Sequence, residues 1–144
     1  MAAQTRTTND ILLRRALRGN GLFSAFSGLL FVLASAPVAA FLGIEEASIL
    51  GLFDGGAFIF IVGSGLLGFA GGLFLNTLRD EIDRVQAALA IAMDIGWVVF
   101  SAIVLITGAL PFSTAGGWAV LIVADGVTVF AILQVVGLRR MGER

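Results

Sequence analysis

Two acids stand where acids are costly. Asp94 and Asp125 interrupt a long apolar stretch, 85–138, and an ionised carboxylate at the centre of a membrane helix costs roughly 2.5–3.5 kcal/mol on the insertion scale. Three kinds of chemistry would explain a carboxyl kept at that cost: a hydrogen bond tying helices together, a station for a proton or cation, or a polar anchor for a bound small molecule. At about 1.5 Å per residue, counting from Gly117 puts Asp125 about 12 Å from one end of its span, near the midplane. Counting back from Pro111 puts Asp94 about 25 Å down, close to the opposite edge of the hydrocarbon and within reach of interfacial water. Asp125 is therefore the sharper candidate. It is expected to face the bundle interior, often protonated and able to donate a hydrogen bond, with Thr128 on its own helix face and Ser64, Ser101 or Thr107 on others as neighbours. Asp94, Trp97 and Ser101 follow at i, i+3 and i+7, one face of a helix. A depth difference of roughly 10 Å separates the two acids too far for a shared-proton pair; a pathway using both would use them as separate stations, and beside that Asp94 reads as an interfacial or helix-start carboxylate near Arg79 and Arg84.

The rest of the chemical inventory is narrow. The 144 residues contain no His, Cys or Tyr, and all nine cationic residues are Arg. Structural zinc, iron–sulfur clusters and His-ligated haem need donors that are absent, and Schiff-base chemistry needs a lysine, so no metal site or cofactor is expected. A net charge of −1 argues against a nucleic-acid partner. Glu45, Glu46 and Asp54 offer oxygen ligands that a divalent cation could use, but three acids on a connecting loop are expected to stay solvated.

These residues need elements to hold them, and composition says which. Apolar residues make up 58% and charged residues 13%, against about 45–50% and about 25% in soluble domains; a chain this small cannot hide that much hydrocarbon from water. The solvent is lipid. Segments 19–44 and 55–78 are free of charge, each longer than the ~20 residues that carry a helix across the bilayer core. The stretch 85–138 needs two crossings, 85–110 and 117–138, turning at the Pro111 and Gly cluster. The expected fold is an all-α, polytopic, transmembrane four-helix bundle, with an amphipathic segment 1–18 ahead of the membrane domain 19–140 and a short tail 141–144. Thr8, Asn9 and Asp10 offer caps for that first segment. Ala34-Ser35-Ala36 resembles a signal-peptide cleavage site, but the apolar run continues through Pro37 to Leu42 and is long enough to span.

Orientation follows from Arg. Arg6, Arg14, Arg15 and Arg18 precede the first span, Arg79 and Arg84 lie between the second and third, and Arg139, Arg140 and Arg144 end the chain. The other two connections have none, which puts both termini in the cytoplasm. Within 79–84 mixed charges suit a solvated turn with a helix cap. Gln134 and Asn76, near the Arg-bearing ends, are expected to snorkel or bond backbone groups.

Packing in lipid relies on small residues. Ser64, Gly68 and Gly72 form a doubled small-xxx-small ridge on the second span, and Gly21, Ser24 and Gly28 share a face of the first. Either bundle packing or homo-oligomer contact would use such ridges. Sliding 20–37 onto 94–111 pairs Asn20 with Asp94, Phe23 with Trp97, Ser27 with Ser101 and Pro37 with Pro111. Ser64-Gly65 falls on Asp125-Gly126 in the same way, which is the pattern of a parallel two-helix duplication.

The segments RRALRGNGLFSAFSGLL, DIGWVVFSAI and LQVVGLRR resemble those of small four-span bacterial integral membrane proteins of no known activity. The resemblance covers most of the chain; it implies the span count and assigns no residue a role. The expectation is a non-enzymatic, accessory or structural component of the inner membrane, partnered by the bilayer and by either its own copies or another membrane protein. Two alternatives stand beside it: a small proton- or cation-coupled transporter or channel using Asp125 with Asp94, and a binder of an apolar ligand such as a lipid, quinone or carotenoid.

Overall fold

The computed structural model describes residues 8–142, so Arg6 and Arg144 lie outside the described residues. Within them the chain is helical with no β-strand: α1 (Thr8–Leu33), α2 (Ser35–Leu42), α3 (Gly55–Leu78), α4 (Arg84–Thr107) and α5 (Thr114–Gly142). Four of the five, all but α2, are long and apolar enough to cross a membrane. Large apolar side chains cover their outer surface, Leu33 at 81% exposure and Ile106 at 85% among them, which only a lipid solvent accommodates without penalty.

The first apolar run breaks where a single long span was expected. Pro37 has no N–H to offer the carbonyl of Leu33 and its ring crowds that turn, so α1 ends there and α2 sets off after Ala34, whose φ of −130° leaves the helical region. At its other end α1 gains length. Residues 8–18 run unbroken into the span, and Thr8 and Asn9 stand inside its first turn rather than ahead of it. Leu13 and Leu17 are fully buried, packing with Leu73, Ile82, Ala87 and Ala90 into an apolar cluster at the Arg-bearing end.

The four long helices form a ring in the order α1, α3, α4, α5. α1 packs most extensively on α3 and then on α5, α5 packs on α4, and the α3–α4 side is loosest; α1 and α4 face each other across the centre. The α1–α3 crossing is close because two glycines meet: a Cβ on Gly63 would stand 2.7 Å from Phe31 Cβ and 2.9 Å from the Gly28 carbonyl oxygen. Gly21, Ser24 and Gly28 do face inward, as expected; Gly21 packs on Phe74 and Ser24 is buried. The Ser64–Gly68–Gly72 ridge does not. These residues are exposed, and a Cβ on Gly68 or Gly72 would meet nothing within 4 Å. The face that α3 turns inward passes through Ile59, Gly63, Ala70 and Leu73, so of the two uses open to the ridge, packing within the bundle is not the one it serves.

Side chains close the helix ends. Asp54 caps α3 by accepting from the Ala57 N–H at 2.7 Å, and Asp83 caps α4 by accepting from Val85 and Gln86. Asn76 pins the turn between them, donating to the Asp83 carbonyl and accepting the Asp83 N–H. Arg14, buried on α1, donates to the carbonyls of Thr77, Arg79 and Asp80 at the C-terminal end of α3 and to the carboxylate of Asp10. A guanidinium there satisfies orphan carbonyls and opposes the negative end of the helix dipole. Arg14→Met is expected to cost about 2–3 kcal/mol, the scale of a few charged hydrogen bonds lost together, and to open residues 79–83 to protease. Arg14→Lys should recover only part of this, because one ammonium nitrogen cannot reach all the positions that the two guanidinium nitrogens serve. Unchanged proteolysis and melting in Arg14→Met would refute this role.

Candidate functional site

The α4 helix stops earlier than the turn composition suggests. Gly108 adopts φ 64°, a left-handed cap, so the helix ends at Thr107. Asp94 thus sits roughly 15 Å from the Arg84 end and roughly 20 Å from the other, in mid-helix. It does not reach an aqueous edge. It is 4% exposed and points to the centre of the ring, where Asn20 Nδ2 of α1 donates to its Oδ2 at 2.7 Å and Gln134 Nε2 of α5 donates to the same atom at 2.9 Å. Ser24 Oγ, one turn along α1, donates to Asn20 Oδ1 at 3.3 Å. One carboxyl thereby ties three of the four spans, including the diagonal pair.

The register of each helix delivers these groups to one layer. Asn20 follows Leu17 by three residues, Asp94 follows Ala90 by four, and Gln134 precedes Leu138 by four; Leu17, Ala90 and Leu138 all belong to the apolar cluster at the Arg-bearing end. The polar layer therefore lies one helical turn further into the membrane than that cluster. Gln134 is fully buried and does not snorkel to the interface. Asn76 is likewise buried and bonds backbone, as expected.

Asp125 stands elsewhere. The inward stripe of α5 runs through Ala124, Val127, Ala131 and Gln134, and Asp125, one residue past the stripe at ~100° per residue, is exposed on the outer face. The expectation that it faces the bundle interior is overturned. It joins neither Asp94 nor the other hydroxyl candidates: Thr128 donates to the Ala124 carbonyl, Ser64 to Phe60 and Thr107 to Ile103, each bonding back along its own helix. Ser101 is buried, on the same inward face as Asp94. Because the Asp125 side chain ties nothing together among the described residues, Asp125→Leu is expected to leave the melting temperature unchanged and to favour insertion of α5 by about 3 kcal/mol on the insertion scale. A clear loss of folded protein would contradict its outward placement.

Beside Asp94 the ring is not filled. A cavity of about 420 Å³ is bordered by Asp94 and Ser24 and walled mainly by Phe23, Phe69, Trp97 and Val127. A second, of about 250 Å³, adjoins it toward the opposite end and is bordered by Ser101; Leu30, Phe31, Val62, Trp97 and Val123 line both. The space exists because α4 leans on α5 and barely touches α3. Gly65, on α3, borders the larger cavity, and a Cβ there would meet nothing within 4 Å.

Asn20 and Gln134 are the site residues that sequence reasoning missed. For Asn20 there was a signal in the duplication alignment, which laid it on Asp94; residues equivalent about an axis along the membrane normal, when both face that axis, are the ones that can touch. Among the described residues no three His, Cys, Asp or Glu side chains are grouped as a metal site requires, and Asp54, one of the three loop acids considered for a divalent cation, is engaged as the α3 cap. No protein-family model, curated protein or solved structure matches the chain.

Proposed function

We propose that this chain is a non-enzymatic, multi-pass protein of a bacterial inner membrane, with both termini in the cytoplasm, that holds an apolar small molecule inside its bundle. The observation carrying this reading is the aromatic-walled space beside Asp94, about 420 Å³ and so within the usual range of small-molecule pockets. It combines an apolar wall with one convergent polar anchor, which is how such pockets orient a ligand. The absence of His, Cys, Lys and Tyr supports a binding role over a catalytic one, since carboxylates would be the remaining general bases. The orientation rests on the Arg bias, and it is supported by Arg14 bonding the α3–α4 turn and by Gly142 lying against Arg84, which gather the Arg-bearing ends on one side. The Asn20–Asp94 hydrogen bond supports descent from two parallel two-helix repeats.

The test is a cavity-filling substitution. Native mass spectrometry of the protein extracted in mild detergent is expected to show a bound small apolar molecule. Gly65→Leu, which adds bulk where nothing stands, should lower its occupancy at least tenfold with no loss of melting temperature. Equal occupancy in both proteins, or none in the parent, would refute the reading.

A further inference from the structure

We propose that the ligand of this cavity is a cationic amphiphile, a protonated amine on an apolar chain, whose ammonium sits against Asp94. The inference rests on the cavity reading above and adds the chemistry of the head group. It begins with the hydrogen bonds of the polar layer. Both amides that reach Asp94 donate to Oδ2; among the described residues no donor reaches Oδ1, although Asp94 borders the cavity. The fully buried Gln134 has an Oε1 with no partner. The unclaimed atoms of the layer are thus acceptors, and for Gln134 Oε1, buried without a donor, that is costly. The one hydroxyl beside them, Ser24 Oγ, already donates to Asn20. A ligand head that only accepts, such as a quinone carbonyl, finds no free donor in this layer, since the Ser27 hydroxyl on the cavity wall lies roughly 10 Å along α1 from Asn20; a head that donates finds an acceptor.

Charge narrows the choice from any donor to a cationic one. Asp94 takes its hydrogen bonds from two neutral amides, and among the described residues the ion pairs join Arg14 to Asp10 and Arg79 to Asp83, not an Arg to Asp94, so the carboxylate lacks the counter-charge that an intramembrane acid normally has. The cavity wall supplies aromatic faces in Phe23, Phe26, Phe69 and Trp97, which attract a desolvated cation. A bare metal cation fits poorly, because it needs about six or more oxygen ligands and the lining offers only Asp94 and two serines, Ser24 and Ser27, among apolar side chains. An ammonium needs fewer acceptors, and its chain continues along the apolar wall into the adjoining space beside Ser101.

Three probes of equal chain length separate the head groups: dodecylamine, dodecanol and dodecanoate, titrated into the full chain in phosphatidylcholine nanodiscs. Trp97 fluorescence reports occupancy in a Trp118→Phe background, Trp118 being exposed and away from the cavity. Dodecylamine is expected to bind at least tenfold tighter than dodecanol, and dodecanoate most weakly. Asp94→Asn, which keeps an oxygen for both amides, should cost the amine tenfold or more and leave dodecanol within twofold. Equal binding of amine and alcohol, or tightest binding of dodecanoate, would overturn the head-group assignment while leaving the cavity reading intact. Should none of the probes alter Trp97, both fall. If Asp94→Asn does not fold, the ranking of the three probes on the parent decides alone.

Discussion

Gly63→Leu is expected to unfold the bundle at temperatures where the parent is stable, at a cost of about 3 kcal/mol or more. The argument starts from what holds helices together in lipid. With little hydrophobic drive between apolar surfaces, close contact of backbones supplies the attraction, and the α1–α3 interface is the most extensive in the molecule. At its closest point even one added carbon on Gly63 would stand 2.9 Å from both the Gly28 oxygen and the Val32 nitrogen. Overpacking against adaptable side chains typically costs 1–3 kcal/mol; here the obstructing atoms belong to a helix backbone and cannot rotate away, so the upper end or beyond is the right scale. Gly63→Ala should already destabilise. Gly68→Ala and Gly72→Ala, where nothing stands within 4 Å, should melt with the parent or slightly above it, since Ala is the better helix former. Thermal melting in detergent checks the series, and a Gly63→Leu protein as stable as the parent would dismiss the close crossing.

That contrast shows how far the sequence could be read. The existence and number of spans were legible, because hydropathy over ~20 residues integrates many weak signals. Which face turns inward was not. On a helix that is apolar all round, polarity marks no buried stripe, and the Ser64–Gly68–Gly72 spacing is as regular as that of any interface while Gly63, one residue away, makes the contact. The two acids were misassigned for the same reason. Depth was counted from the span ends, but facing depends on a rotation of ~100° per residue, and one step separates Asp125 from the inward Ala124. The depth of Asp94 was also misjudged, because the left-handed Gly108 ends α4 before Pro111. The partners of Asp94 lie 74 and 40 residues away in the chain, a separation that no local pattern reports. The repeat alignment was the exception, since it compared distant segments directly.

The polar layer yields the second large effect, and its sign is unusual. Replacing one amide donor, Asn20→Leu or Gln134→Leu, is expected to cost about 2 kcal/mol, and replacing both, leaving Asp94 with no donor from either helix, about 4 kcal/mol or more. Replacing all three polar residues by leucine should recover most of this loss. Two magnitudes compete here. Hydrogen bonds between membrane helices contribute on average only about 0.6 kcal/mol in double-mutant cycles, which by itself predicts mild, additive losses. Stranding a buried acceptor costs about 1–3 kcal/mol and more for a charged group, and breaking a buried charged cluster by removing one partner costs about 3–5 kcal/mol, whereas removing the whole cluster is often neutral. Asp94 is 4% exposed and Gln134 fully buried, so neither can recruit bulk water when its partner goes, and the second mechanism governs. The coupling between the paired amide replacements and Asp94→Leu should therefore be large, the third substitution restoring stability that the first two remove. Unfolding of the single, double and triple variants in mixed micelles measures them, and the decisive outcome is the triple variant: if it is the least stable of the set, the layer is held by the net strength of its hydrogen bonds, and the account of Asp94 as a costly acid kept for a ligand loses its energetic basis.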